Sequence, residues 1–592
     1  MLAFTALNCN KKLEEHPKTV FTVDFFKSPS GIQSAVTTLY SGMRYVYGPE
    51  PSLAITVMGT DEFTGGDQVL ISTGGQYVRS FALYGGPSPI QPSDGSLLNM
   101  WNTVFSLINL ANGVVNIAPE VAAMPENDRT TAIAEARFLR GLYYLNLVGQ
   151  FGAVPVDLGS GDLEFNQTPY PGFNILIDGS KEGVLKKDFD AMIEDFTFAS
   201  QNLPDQRPSN AFRLSKAAAF MMLARTYTFK GYNEALKESS DFQNAYAAAM
   251  EVINNQSKYG VALQQNFADV NRQGTDYNSE ILYSVERIPG DLNSNEVPNS
   301  TNTAGKGNNA SIVFAPDYTV ATGVKGQKAP GAARQALYGR PYRRFAPTLW
   351  LLNTCFADKE NDSRFDGSFR TMWYTVEEGK DGNPINYGDT AFVIAMTNTE
   401  ANALLAKNPP YKVVTPSEIW TAQNKNPQNI YPYLKKFADS TKNNYNDVVD
   451  GRPFKVAKFS EVYLLAAEAC LQGAGGGAGE AAELINVLKK RAAFREGLSS
   501  GEIDDRYDAI KVSASDITLD FILDERSREL CGESIRFIDL AMRHKLVSRV
   551  QAFNPDASPY IQPFNEKRPI PQSQLDAVTE KNPAYQNTGY NQ

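Results

Sequence analysis

Histidine is almost absent from this chain: only His16 and His544 occur in 592 residues. A histidine-based nucleophile triad or a multi-histidine zinc site therefore has almost nothing to work with. Cysteine is scarce too. No two of Cys9, Cys355, Cys470 and Cys531 form a C-x-x-C, so neither a zinc ribbon nor a dithiol redox motif is signalled. The last three are expected as small buried hydrophobes. No apolar run approaches the roughly 18 residues of a membrane-crossing helix. Basic residues are in deficit, 56 Lys plus Arg against 66 Asp plus Glu, a net charge of −10. A nucleic-acid binder needs a basic face that displaces counterions, so nucleic acid is not an expected partner. Apolar residues at 42% and charged residues at 21% suit a folded protein.

Two textures alternate along the chain. One is helical. Trp101, Val104, Phe105, Ile108 and Val115 recur at helical spacing between Leu97 and Ile117. Between Ala132 and Val148 the stripes Phe138-Leu142-Leu145 and Leu139-Tyr143-Leu147 run together, which predicts a helix buried around most of its girth. Further helices are predicted near 30–46, 184–202, 213–230, 241–255, 457–472, 480–494, 516–531 and 533–545, with Ser28-Pro29 as a cap and first-turn proline. The other texture is rich in Gly, Pro and Asn, at about 48–96 and 257–456, with short strands at Ile281–Val285 and Phe392–Ala395. Met222-Leu223-Ala224 precedes Gly231 at the same offset as Leu464-Leu465-Ala466 precedes Gly473, and an Ala-rich helix follows each glycine. Small residues on both helices of a pair with a glycine turn between them predict tetratricopeptide-like stacking.

The apparent catalytic motifs have plainer readings. Gly473 to Gly479 follows a helix rather than a strand, so it is read as a helix–helix linker and not a phosphate loop. The charges of Leu519–His544, with Glu525 and Glu529 one turn apart and Arg528 between them, are read as structural ion pairs within a packed helix pair. Lys435 and Lys436 form too small a cluster to predict an electrostatic role. Many aromatics lie in the loop-rich segments beside Asn, Asp and Gln. Flat faces next to hydrogen-bonding groups suit sugars, which offer apolar C–H faces and hydroxyl edges.

At the N-terminus, Leu2 to Asn8 ends in Cys9, and the chain turns polar at once with Asn10, Lys11 and Lys12. This is read as a truncated lipoprotein leader, residues 1–9, whose natural start lies upstream, with Cys9 the acylated residue. Acyl chains bury about 0.8 kcal/mol per methylene, so such an anchor needs no membrane-spanning helix.

Seven segments in chain order resemble one family. They are Phe25-Phe26-Lys27-Ser28 through Tyr40; Trp101 to Asn112; Ala134-Glu-Ala-Arg-Phe-Leu-Arg-Gly141 through Phe151-Gly-Ala-Val-Pro155; Ser215 to Arg225; Phe459 to Ala469; Glu525 to Leu540; and Asn582 to Tyr590. Together they are similar to the SusD/RagB family of surface nutrient-binding lipoproteins. The resemblance implies a mainly α fold, a scaffold of tetratricopeptide-like helix pairs with long loop-rich segments carrying short β elements. Residues 10–592 then form one such unit, with scaffold at about 25–47, 97–256 and 457–592 and the ligand side at about 48–96 and 257–456. It also implies lipid attachment at Cys9, a cell-surface place on the outer membrane and a SusC-like TonB-dependent transporter as partner. The expected activity is non-catalytic oligosaccharide binding, with no cofactor or metal. A peptide-binding relative, an extracellular glycoside hydrolase with paired carboxylates and a purely structural helical scaffold are the alternatives. Family ligand contacts vary, so the site is read from this chain's own residues: Tyr84, Tyr338, Tyr342 and Trp373 as stacking faces, Asp67 and Gln68 as hydroxyl contacts.

Overall fold

The scaffold opens where cap and proline stand together. Ser28 Oγ accepts a hydrogen bond from the Gly31 amide at 3.1 Å, and Pro29 takes the first helical position, where a missing N–H costs nothing. Such a cap is worth about 1 kcal/mol. The computed structural model describes residues 23–590 apart from 72–75, 87–89, 160–179, 209–211, 288–306, 320–336, 376–387, 422–423, 425, 427–428, 443–446 and 578–582. Cys9 and the leader lie outside the described residues. From the cap run α1 (Pro29–Val46), α2 (Glu50–Val57), α3 (Gly95–Ile117), α4 (Glu126–Phe151), α5 (Lys181–Asn202), α6 (Lys216–Gly231) and α7 (Asp241–Asn254). The last third adds α8 (Phe459–Ala469), α9 (Gly477–Ala493), α10 (Ser500–Ile510), α11 (Leu519–Leu530) and α12 (Arg536–Ala541).

Each helix from α3 to α10 packs on the one before it, and α7 packs on α8 although Asn254 and Phe459 are far apart in sequence. The two small-residue pairs, α6–α7 and α8–α9, are therefore neighbours in one stack, as the repeat predicts. Residues Phe138 to Phe151 of α4 are all buried, as the doubled stripe requires. Glycines set the close approaches. A Cβ on Gly231 would meet the Phe242 ring at 2.8 Å, and one on Gly141 would meet the Phe196 ring at 3.0 Å. Among the described residues, no helix is long and apolar enough to cross a membrane.

Short β elements lie between α7 and α8, apart from the first, which follows α2. β1 (Phe63–Gly65) pairs antiparallel with β3 (Phe345–Pro347), and β2 (Ile281–Val285) with β9 (Phe454–Lys458). β4 (Phe369–Arg370) pairs with β8 (Tyr433–Leu434). β5 (Met372–Tyr374) runs antiparallel to β6 (Thr390–Ile394), which runs parallel to β7 (Lys412–Val414). The segment 48–96 is less loop-like than its prolines suggest. Pro51 sits in the first turn of α2, a position that tolerates it, and Leu53 to Val57 are buried.

The paired charges of 519–544 are structural, and most of their partners come from other elements. Arg225 of α6 and Arg526 of α11 both bind Glu461 of α8, at 2.7 and 2.9 Å. Arg526 also holds Asp539 of α12 at 2.7 Å, and Arg543 joins Asp539 to Glu468 of α8. The Arg528–Glu525 pair at 2.7 Å is the one read within α11. Lys436 corrects the sequence reading: its ammonium is buried and bonds Glu533 at 2.9 Å, beside Lys458 at 2.8 Å. Burial pushes the Cys531 thiol up to about 12, consistent with an inert, buried cysteine.

Most carboxylates of this network are held below their usual range. For Glu525, Glu529, Glu533 and Asp539 burial opposes ionisation, but the surrounding arginines and lysines outweigh it. Their contribution is present above the unfolded carboxylate range and is lost as pH falls through their lowered folded values. Glu62 runs the other way. Burial first, and Asp61 beside it, push its carboxyl up to about 7 although Arg536 works against them. The folded state then binds more protons than the unfolded one between about 4.5 and 7, so this group costs stability as pH rises through that window. Glu62→Gln is expected to raise the melting temperature at pH 8 and to flatten its dependence between pH 5 and 7. The effect is roughly 1–3 kcal/mol, the scale of a shift of a few pKa units. Thermal melts from pH 5 to 8 check this, and an unchanged slope would show that Glu62 does not titrate there.

Candidate functional site

The loop-rich segments meet at the turn between β1 and the Asp67–Leu70 helical turn. Gly66 donates its amide to the Arg344 carbonyl at 2.9 Å, which draws the strand Phe345–Pro347 and the residues before it against Asp67. Asp67 Oδ1 accepts from Asn429 Nδ2 at 2.7 Å and faces Arg343 Nε at 3.4 Å. Arg343 in turn binds Asp317 at 2.6 Å. Arg343 and Asn429 both carry positive φ, 55° and 47°, a strained backbone for residues with a Cβ. Both residues meet on the one half-buried carboxylate of Asp67. Burial lifts the Asp67 pKa above the ordinary aspartate value, with Arg343 opposing. Gln68 is half-buried on the same turn.

Beside this knot lies a shelf of tyrosines. The Arg344 guanidinium covers the Tyr342 ring at 4.5 Å, binds Glu50 and reaches the Tyr77 hydroxyl at 3.4 Å. Tyr338 packs edge-on against Tyr318 at 5.5 Å. Its hydroxyl accepts from the Tyr374 amide at 3.0 Å and donates to the Tyr374 carbonyl at 3.1 Å. Tyr338 is thus a brace for β5 rather than a free face. Strand periodicity decides which β5 ring is presented: Trp373 is 2% exposed and stacks on Phe392 at 4.4 Å, whereas Tyr374 is 49% exposed with Met372 on the same side.

Six ligand contacts were expected, and the structure divides them. It brings Asp67, Gln68, Tyr338 and Tyr342 into one loop cluster. It corrects two. Trp373 points into the core by the parity of its strand. Tyr84 is 2% exposed, donates its hydroxyl to the Gly59 carbonyl at 3.0 Å and lies beside the buried Arg568. Neither ring offers a face to a ligand. Tyr374 and Tyr77 are the rings that sequence reasoning passed over. The alternation of Met372, Trp373 and Tyr374 is a signal that could have found the first.

Two clefts, of about 220 and 170 Å³, lie elsewhere, one lined by Ile90, Ser93 and Tyr590 and the other by Tyr45, Asn99 and Met100. Of the rings of the shelf, Tyr374 and Tyr77 are exposed, Tyr342 is half-buried, and Tyr338 and Tyr318 are buried beneath them. Among the described residues, no group of three or more His, Cys, Asp or Glu is placed to hold a metal ion.

Comparison with known proteins gives the chain its relatives. Residues 299–590 match the family model described as the SusD family, and residues 72–228 match one described as starch-binding associating with outer membrane. SusD-like protein P2 of Formosa agariphila is 25% identical over 610 aligned positions, covering 100% of this chain and 98% of that protein. Among solved structures, a laminarin-binding SusD-like protein superposes with a TM-score of 0.64 at 21% identity, over 95% of this chain and 100% of that one. Surface glycan-binding protein A from Bacteroides thetaiotaomicron, in complex with laminarihexaose, gives 0.63 at 18% identity, over 95% and 99%.

Proposed function

We propose that this chain, which belongs to the SusD/RagB family, binds oligosaccharide at the tyrosine shelf without catalysing its cleavage and delivers it to a SusC-like TonB-dependent transporter. The observation that carries the reading is the braced, outward Tyr374 ring, in one loop cluster with Tyr342 and the Asp67–Arg343–Asn429 knot. Tyr374 and Tyr342 stack on sugar faces, while Asp67 and Gln68 take hydroxyl hydrogens. Solved structures of similar fold are named for laminarin and other glycans, which supports carbohydrate as the ligand. The hydrolase reading has less support. Asp67 and Asp317 both face Arg343, an arrangement that fixes carboxylates as acceptors rather than freeing one as an acid.

Cys9 anchors the protein at the outer membrane, a place supported by the description of the matching family model. The test has two arms. The whole chain should be retarded in gels containing its polysaccharide and release no reducing ends from it; release of reducing ends would restore the hydrolase. Cys9→Ala should move the protein from membrane to soluble fractions, and mild-detergent pull-down of the wild type should recover one large outer-membrane protein. Recovery of the chain alone would remove the transporter from the proposal.

A further inference from the structure

The cations around the shelf are matched unequally. In the Arg340-Pro-Tyr-Arg-Arg344 turn, Arg343 binds Asp317 and faces Asp67, and Arg344 binds Glu50. Arg340 lies over the other part of the Tyr342 environment, 5.6 Å from the ring centroid, and forms no ion pair among the described residues. Arg370, on β4, sits over Tyr338 at 4.9 Å and Tyr433 at 5.5 Å. It too has no carboxylate partner among the described residues, and its buried Nη1 has no hydrogen-bond partner. Lys435 is a third cation nearby. Burial, and then the charge of Arg370, lower its pKa. Asp366, whose charge opposes that shift, is itself bound to Arg495.

Arg225, Arg364, Arg491, Arg526 and Arg543 of the scaffold are, by contrast, each matched by carboxylates, while the buried Arg568 is covered by the rings of Phe81, Tyr84 and Phe537. The cations at the shelf also contrast with a chain whose net charge is −10. Like charges gathered without a counter-ion repel, and an arriving anion relieves the repulsion while gaining charge-assisted hydrogen bonds. Arginine is the side chain that suits carboxylate and sulfate oxygens, through paired N–H donors. Gly339 alone separates Arg340 from Tyr338, and Arg370 covers Tyr338, so both guanidinium groups border the same braced shelf.

From this arrangement, and resting on the oligosaccharide reading above, we propose that the ligand is an acidic glycan whose carboxylate or sulfate ester group is taken by Arg340 and Arg370 while Tyr342 and Tyr374 stack on the ring faces. The neutral stacking platform then sets general sugar affinity, and the two arginines set the charge class.

The experiment is calorimetric titration of the whole chain with a hexameric oligogalacturonate, its carboxyl-reduced neutral counterpart, a sulfated galactan oligosaccharide and laminarihexaose. One acidic probe is expected to bind about tenfold or more tighter than the neutral ones, and more weakly as salt is raised. Arg340→Gln and Arg370→Gln should each cost about tenfold in that affinity, and Arg370→Lys less, because the charge remains. Melting curves of the same variants separate a lost contact from a lost fold. If the neutral hexamers bind as well as the acidic ones, or if folded R340Q and R370Q bind like wild type, the acidic-ligand proposal is overturned and the oligosaccharide reading stands. If no probe of either kind binds, both readings fall.

Discussion

Glu529→Ala is expected to destabilise the protein by roughly 3–5 kcal/mol, the cost of stripping one partner from a buried ion pair. Glu529 is fully buried on α11. It accepts from Arg364 at 2.9 Å, and both its oxygens accept from Arg491 Nη2, at 2.8 and 2.7 Å. Removing its carboxylate leaves the two guanidinium groups to Glu525, Asp362 and Glu280 alone. The Asn486–Val512 tie between α9 and the chain before α11 does not replace it. Glu529→Gln keeps the shape and loses the charge, so it should fall between wild type and alanine. Chemical denaturation reads the outcome directly. A midpoint for the alanine variant close to that of wild type would show that the network is dispensable, and with it the account of how the helix stack is held to the β elements.

The second large effect concerns binding. Tyr342→Ala and Tyr374→Ala together are expected to abolish measurable oligosaccharide binding while leaving the circular dichroism unchanged. Each stacked ring contributes about 1 kcal/mol beyond its area burial, so losing both costs roughly thirtyfold, enough to lift a modest affinity out of range. Trp373→Ala and Tyr84→Ala provide the contrast. Both rings are buried, and large-to-small changes there cost about 3–5 kcal/mol, so these variants should lose stability first. If the Tyr342/Tyr374 double variant binds like wild type and folds normally, the shelf is not the site.

The scaffold was written in the sequence in physical terms that local rules can read. Ser28-Pro29 fixes a helix start, the stripes of Phe138 to Leu147 fix a buried helix, and Gly231 and Gly473 mark the turns of stacked pairs. The site was legible only in part. Asp67, Gln68 and Tyr342 lie together because β1 pairs with β3, a contact between residues far apart in the chain that no local pattern encodes. Trp373 is the stacking face expected from the sequence, yet a strand presents alternate residues, and one step in register exchanges core for surface. Lys436 looked like half of a trivial surface pair because its partner, Glu533, is distant in sequence. The helix Glu50–Val57 was hidden by Pro49 and Pro51, residues that break a helix interior and are harmless at its first turn.

The β2–β9 pairing has a consequence for how the chain is assembled and how it can vary. Ile281 to Val285 lies against Phe454 to Lys458, so everything between enters and leaves the helix stack through one narrow hydrogen-bonded neck. The face of α7 that carries Ala245, Ala249 and Val252 is buried in the finished protein, and α8, which packs on α7, is made only after the whole intervening segment has been synthesised. The stack cannot be completed in order of synthesis, and the loop-closure entropy falls on the step that forms the neck. Because that cost grows only slowly with loop length, changes of length between the two strands carry little closure penalty where they leave in place anchors such as Arg364 and Lys436, which bind Glu525 and Glu529 of α11 and Glu533 just after it. Recognition can therefore change over generations while the frame that presents it stays the same.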